Sequence, residues 1–154
     1  MTIKEFRKKI KPDIEITIKN KKFTVKEIIK FRLDDDSYYI KCFLNDNFII
    51  ADDGEKNIFI FGREVETPFK DPFPKTLKFQ GKNLKFLYEA HAIAEKIWGE
   101  EIYKKGYAEK FWDYKASDGS YLSLGFEDKT KIRLDLFGKV IIPDDVKFNG
   151  VVAE

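Results

Sequence analysis

The sequence holds a single cysteine, Cys42, and a single histidine, His91. One cysteine cannot form an internal disulfide, and neither residue has the companions from which a zinc site is assembled. An unpaired thiol points to a reducing, cytoplasmic setting. An excess of one charge is also lacking: 29 Lys and Arg stand against 27 Asp and Glu, a formal net of +2. That balance gives no general pull towards phosphate backbones or anionic membranes, so nucleic acid is disfavoured as a partner. No apolar run approaches the ~20 residues of a membrane helix, and the polar N-terminus has no signal-peptide core. Phosphate loops, nucleophile elbows and zinc-peptidase motifs are missing. Neither metal nor cofactor is expected, and no catalytic residues emerge.

What is present is apolar and aromatic. Of 154 residues, 43% are hydrophobic and 16% aromatic, with 15 Phe. A chain of this size buries roughly two-thirds of its unfolded surface and needs no staple to fold. Thr2 and Glu5 have capping-box spacing, and Ile3, Phe6 and Ile10 share a face, which predicts a short helix within residues 1–12, stopped by Pro12.

From Ile14 the hydrophobic period changes to two. Ile14–Ile18, Phe23–Leu33, Tyr38–Leu44, Phe48–Ala51 and Ile58–Phe61 read as five strands in a first repeat, residues 13–63. The acidic clusters Asp34-Asp35-Asp36 and Asp52-Asp53-Gly54-Glu55 fall between strands and lack calcium-loop spacing, so they read as turn residues. Residues 64–76 contain Pro68, Pro72 and Pro74 and form a linker, with Phe69 and Phe73 tucked onto the body.

A second repeat, residues 77–142, follows the same order: Leu77–Gln80, Leu84–Trp98, Tyr107–Ala116, Ser120–Phe126 and Lys131–Phe137. Leu84–Trp98 also carries a helical stripe through Leu84, Leu87, His91, Ala94 and Trp98. Its cleaner period of two favours a strand. Both repeats end on a Phe-Gly-cation triplet, Phe61-Gly62-Arg63 and Phe137-Gly138-Lys139. Residues 143–154 read as a tail. The fold expected is mainly β: two similar five-stranded antiparallel lobes, as small barrels or one sandwich, with a short N-terminal helix.

The residues Phe111-Trp112-Asp113-Tyr114-Lys115-Ala116, Asp118-Gly119, Tyr121-Leu122-Ser123-Leu124 and Phe137-Gly138-Lys139 carry a resemblance. In them the chain resembles an uncharacterised prokaryotic family, a domain of unknown function that is duplicated and β-rich. The resemblance implies duplication and partner binding, and a link to membrane-stress proteins of the phage-shock type; it brings no catalytic residues.

Cys42 shares a strand face with Ile40 and Leu44 and reads as a buried, inert thiol. His91 reads as an ordinary residue on the polar side of its element. The densest aromatic cluster runs through Tyr103, Tyr107, Phe111, Trp112 and Tyr114. Phe111 and Trp112 point to opposite faces of one strand, so one of them is expected to be exposed beside Lys110 and Lys115. Tyr107, Phe111, Trp112 and Lys115 are therefore the expected binding residues, as an anchor for another protein. The resulting expectation is a non-enzymatic protein-interaction module. The alternative is a binder of single-stranded nucleic acid, or of a small apolar ligand in a barrel mouth. It rests on the aromatic strands and on Lys105-Gly106-Tyr107-Ala108, which matches the opening of an RNA-binding strand motif.

Overall fold

The computed structural model describes residues 1–100 and 107–149. The helix α1 spans Ile3–Lys9, and Thr2 and Glu5 form the full capping box across its start. Eleven strands follow among the described residues. They are β1 Glu15–Ile18, β2 Lys21–Leu33, β3 Tyr38–Leu44, β4 Phe48–Asp53, β5 Ile58–Val65 and β6 Thr76–Phe79. Then come β7 Lys82–Gly99, β8 Ala108–Lys115, β9 Ser120–Glu127, β10 Asp135–Ile141 and β11 Val146–Phe148. The alanine-rich stretch is thus a strand throughout, as its two-residue period predicts.

The halves do not fold as separate lobes. The ladder runs β2-β3-β4-β5-β10-β9-β8-β7 and closes by pairing β7 back onto β2, giving one eight-stranded antiparallel barrel to which both halves contribute four strands. Closure removes the two long sheet edges that separate five-stranded lobes would expose. Three strands lie outside the barrel: β1 and β11 on one flank, β6 on the other. The C-terminal stretch expected as a tail therefore contributes a strand, with β11 pairing antiparallel to β1 through Ile18 and Val146.

The two flanks arise alike. The short strand β1 joins β2 through a two-residue turn in which Lys19 and Asn20 have φ of 49° and 69°, and β6 joins β7 through Gln80 and Gly81 at 48° and 77°. Two consecutive left-handed residues make the turn whose twist suits a tight hairpin. Each long strand is then interrupted at its sixth residue, Lys26 or Leu87, where the register shifts. Where the second stretches of the long strands meet, Arg32 lies opposite Ile93, each the twelfth residue of its strand.

Alternation divides the apolar residues into an interior and an outer set. Inside the barrel, Ile29, Phe31, Ala92, Ala94 and Phe111 form one cluster. Ile49, Ile60, Tyr121 and Leu136 form another, and Phe43 packs against both. Outside, α1, β1 and β11 cover the first half: Ile3, Phe6, Ile16, Ile18 and Val146 bury Ile40, Cys42, Ile50 and Phe59. Over the second half, β6 and residues 66–75 cover Trp112, Tyr114, Leu122 and Leu124. Phe69 and Phe73 pack against this core, Phe73 lying edge-on to Trp112 at 4.8 Å.

Among the described residues no helix is long and apolar enough to cross a membrane.

Candidate binding groove

Strands β5 and β10 form the seam opposite the β2–β7 closure. Gly62 pairs with Gly138 there, Phe61 with Lys139, and Arg63 with Phe137. The two Phe-Gly-cation triplets thus lie face to face. They do not end their strands: β5 continues to Val65 and β10 to Ile141. The expected strand ends are corrected by the same contact that explains the glycines. A Cβ on Gly138 would lie 2.0 Å from the Phe61 carbonyl oxygen, and one on Gly62 would lie 2.2 Å from that of Phe137. Only glycine permits backbones to approach so closely.

A groove of about 580 Å³, open to solvent, follows this seam on the outer surface. It lies between the two flanking hairpins, whose turn residues Lys19 and Gln80 both line it. Its apolar lining is Phe48, Phe61 and Phe137 with Val65 and Ile141. Phe48 and Phe61 stack with ring centroids 5.4 Å apart and planes 12° from parallel, and Phe79 packs edge-on to Phe137 at 5.2 Å. Arg63 and Lys139 add cations from the two strands, and Glu64 is its one acidic lining residue. The Arg63 guanidinium sits 4.9 Å over the Phe48 ring and donates to the Asp46 carbonyl oxygen at 3.3 Å, which orients its planar fork. Among the described residues no carboxylate lies within ion-pair distance of Lys19, Arg63 or Lys139.

The residues expected from sequence to bind do not come together as a surface. Phe111 is 6% exposed and lies inside the barrel, whereas Trp112 is 8% exposed and lies outside beneath Phe73. The expectation that one of them is exposed is thereby corrected: both barrel faces are covered at this strand, one by the opposite wall and one by the linker. Tyr107 is half-buried before β8 and Lys115 is exposed at its end. Tyr103 and the Lys105-Gly106 start of the RNA-binding fragment lie outside the described residues.

The remaining chemical groups serve the barrel. Asp113 is buried and accepts hydrogen bonds from Ser123 Oγ at 2.6 Å, Tyr88 Oη at 3.1 Å and the Tyr121 hydroxyl. Burial raises its carboxyl pKa, and burial beside this carboxylate raises both tyrosine hydroxyls above their ordinary range. Lys41 Nζ lies 3.9 Å from Glu109 Oε1 within the same interior. Burial likewise pushes the Cys42 thiol well up, which keeps it protonated and unreactive.

Asp52 is no turn residue. It lies in β4, fully buried, and takes Arg7 Nε and Nη2 at 2.8 Å each and the Ile40 amide at 3.1 Å. Asp53 does the expected turn work there, accepting from the amides of Glu55 and Lys56, and in the other cluster Asp35 accepts from the Ser37 amide at 3.0 Å. His91 is held at both nitrogens, Nδ1 at 3.1 Å from Asp34 and Nε2 at 2.8 Å from Asp128. Among the described residues no group of three His, Cys, Asp or Glu is arranged to hold a metal ion.

No family model matches this chain, and neither does any curated protein or solved structure.

Proposed function

We propose that the protein is a non-catalytic interaction module that holds a segment of another protein in the groove across the β5–β10 seam. The observation that carries this reading is the seam's register. It sets an aromatic ring of one strand beside a cation of the other, Phe61 with Lys139 and Phe137 with Arg63, within a groove of about 580 Å³. Aromatic residues and Arg are the side chains that most often anchor protein interfaces. The matched hairpins, bulges and closing seam support an origin by internal duplication, in keeping with the resemblance of the second half to duplicated β-rich domains. The buried, unpaired Cys42 suits a cytoplasmic protein.

Photo-crosslinking tests this. A photoreactive residue at Gln80, on the groove wall, should join the intact chain to a protein in its host cells, and the adduct should vanish in R63E/K139E. The same residue at Ile132, which is 65% exposed away from the groove, should give no such adduct. Equal yields at both sites, or adducts with nucleic acid alone, would refute the reading.

A further inference from the structure

We infer that the segment taken by the groove is acidic and carries large apolar side chains, an inference that rests on the groove being a protein-binding site. Lys19, Arg63 and Lys139 ring the groove against the lone carboxylate of Glu64. Elsewhere the cations nearest the fold's structural joints are already engaged: Arg7 by Asp52, Arg133 by Asp135, Lys82 by Asp118. Among the described residues Arg63 is engaged only through its stacking on Phe48 and one carbonyl, so its fork retains donors for a carboxylate.

The rings of Phe48, Phe61 and Phe137 give the same groove an apolar surface, so a purely ionic ligand would leave them wetted. Cation and ring alternate across the seam, which fits a chain whose acidic and apolar residues alternate likewise. Recognition runs through side chains rather than strand addition, because β5 and β10 are each hydrogen-bonded on both sides and offer no free edge. A nucleic-acid strand is the weaker fit. The chain's net charge is only +2, and the three cations form a local cluster rather than a track along which a phosphate backbone would run.

Fluorescence anisotropy on the intact chain tests the inference with three labelled probes. They are a short synthetic peptide alternating Glu with Phe or Leu, the same peptide with every Glu changed to Gln, and an oligo-dT strand. The acidic peptide should bind and should weaken by ~10-fold or more in R63E/K139E, with a smaller loss in Lys19→Glu, since charge complementarity sets partner choice. Thermal melts of the variants should match the parent, because these side chains are at the surface; if the double variant melts early, Lys19→Glu alone carries the comparison. Equal binding of the Glu and Gln peptides would overturn the acidic preference while leaving the groove a peptide site. Acidic-peptide binding that no groove variant changes would move the site elsewhere and overturn the inference. Silence from both peptides, with the Gln80 crosslink to protein retained, would overturn the ligand class alone. Preference for oligo-dT would overturn this inference and the protein-binding reading together.

Discussion

Over the first half of the barrel the covering layer is α1 with β1 and β11; over the second it is β6 with the proline-containing segment 66–75. Each layer is pinned by an arginine on a buried aspartate. Arg7 of α1 reaches Asp52, and Arg133 holds Asp135 at 2.7 Å while also binding the Phe69 carbonyl oxygen at 2.7 Å. Asp135 in turn accepts from Thr67 Oγ1 at 2.8 Å, so the linker is tied down at two points. The comparison shows which features the architecture demands and which it leaves open. An exposed apolar barrel wall needs a cover, and the tight hairpins supply only part of one. The rest is taken from whatever chain is adjacent, a helix in one half and an irregular segment in the other.

The seam joining the halves is where a substitution should cost most. Gly138→Val would force a branched side chain against the Phe61 carbonyl, and Gly62→Val would do the same against Phe137. Each is expected to destabilise by more than about 4 kcal/mol or to abolish folding. A valine variant that melts within a few degrees of the parent would show that the strands can separate there freely. Next come the two arginine locks. Asp52→Ala takes the carboxylate from the Arg7 guanidinium and the Ile40 amide; Asp135→Ala takes it from Arg133, Thr67 Oγ1 and the Gly125 amide, whose hydrogen bond it accepts at 3.2 Å. Both should cost about 2–4 kcal/mol. Their local effects should diverge: limited proteolysis should open residues 3–10 in the first variant and residues 66–75 in the second. Cleavage at the same place in both would mean the two covers are not independent.

Much of this comparison was legible in the sequence, because burial on one face imprints a period of two whatever the strands pair with. Ile14 to Ile18 show it, and so do Leu84 and Phe86 on the outer face and Ala90, Ala92 and Ala94 on the inner one, although the phase breaks at Leu87 and Trp98 is 42% exposed. The helix cap was legible separately, from the spacing of Thr2 and Glu5. Closure was not legible. Pairing of β2 with β7 depends on register between segments some sixty residues apart, and local pattern carries no trace of it. The Phe-Gly triplets illustrate the limit. They suggested matching strand ends, yet following the ladder from Glu27 and Tyr88 through Phe43 and Asp113, then Ile49 and Ser123, brings Gly62 into correspondence with Leu136. The triplets are two residues out of phase with the ladder, and their meaning is contact across the seam. The groove residues were missed for the same reason: the Phe-Gly-cation triplets were read as ends of the repeats when their glycines marked close approach. Trp112 was misjudged because a strand with both faces covered looks, in one sequence, like a strand with one face free.

Inside the barrel the halves differ again, in polarity. At the matched interior positions Phe43 stands in the first half and Asp113 in the second. The three hydroxyls on Asp113 all come from the second half, Tyr88, Tyr121 and Ser123. Tyr121→Phe removes one donor from a buried carboxylate and should cost about 1.5–3 kcal/mol by chemical denaturation. Phe43→Leu keeps an apolar residue and should cost less, nearer the ~1 kcal/mol of a conservative core exchange. If the order of the two is reversed, the network contributes less than the ring packing beside it.

The smallest effect expected belongs to His91, which ties the turn after β2 to the end of β9 and so links the halves by charge. Hydrogen bonding to Asp34, followed by that to Asp128, raises its pKa above the ordinary 6.5, and partial burial works against this. Lys110 lies opposite His91 in β8, and Arg32 nearby is paired with Asp36 and Glu95, so the local field is mixed. A raised pKa in the folded state means that folding favours the imidazolium. The stabilisation is fully present below the unfolded value of 6.5 and is lost as pH rises through the folded value. The stability difference between the parent and His91→Gln should therefore shrink as pH rises above 6.5, by less than ~1 kcal/mol because Asp34 is well exposed. A difference that grows with pH would mean that the neutral ring, bonded through one nitrogen, is the form the fold prefers.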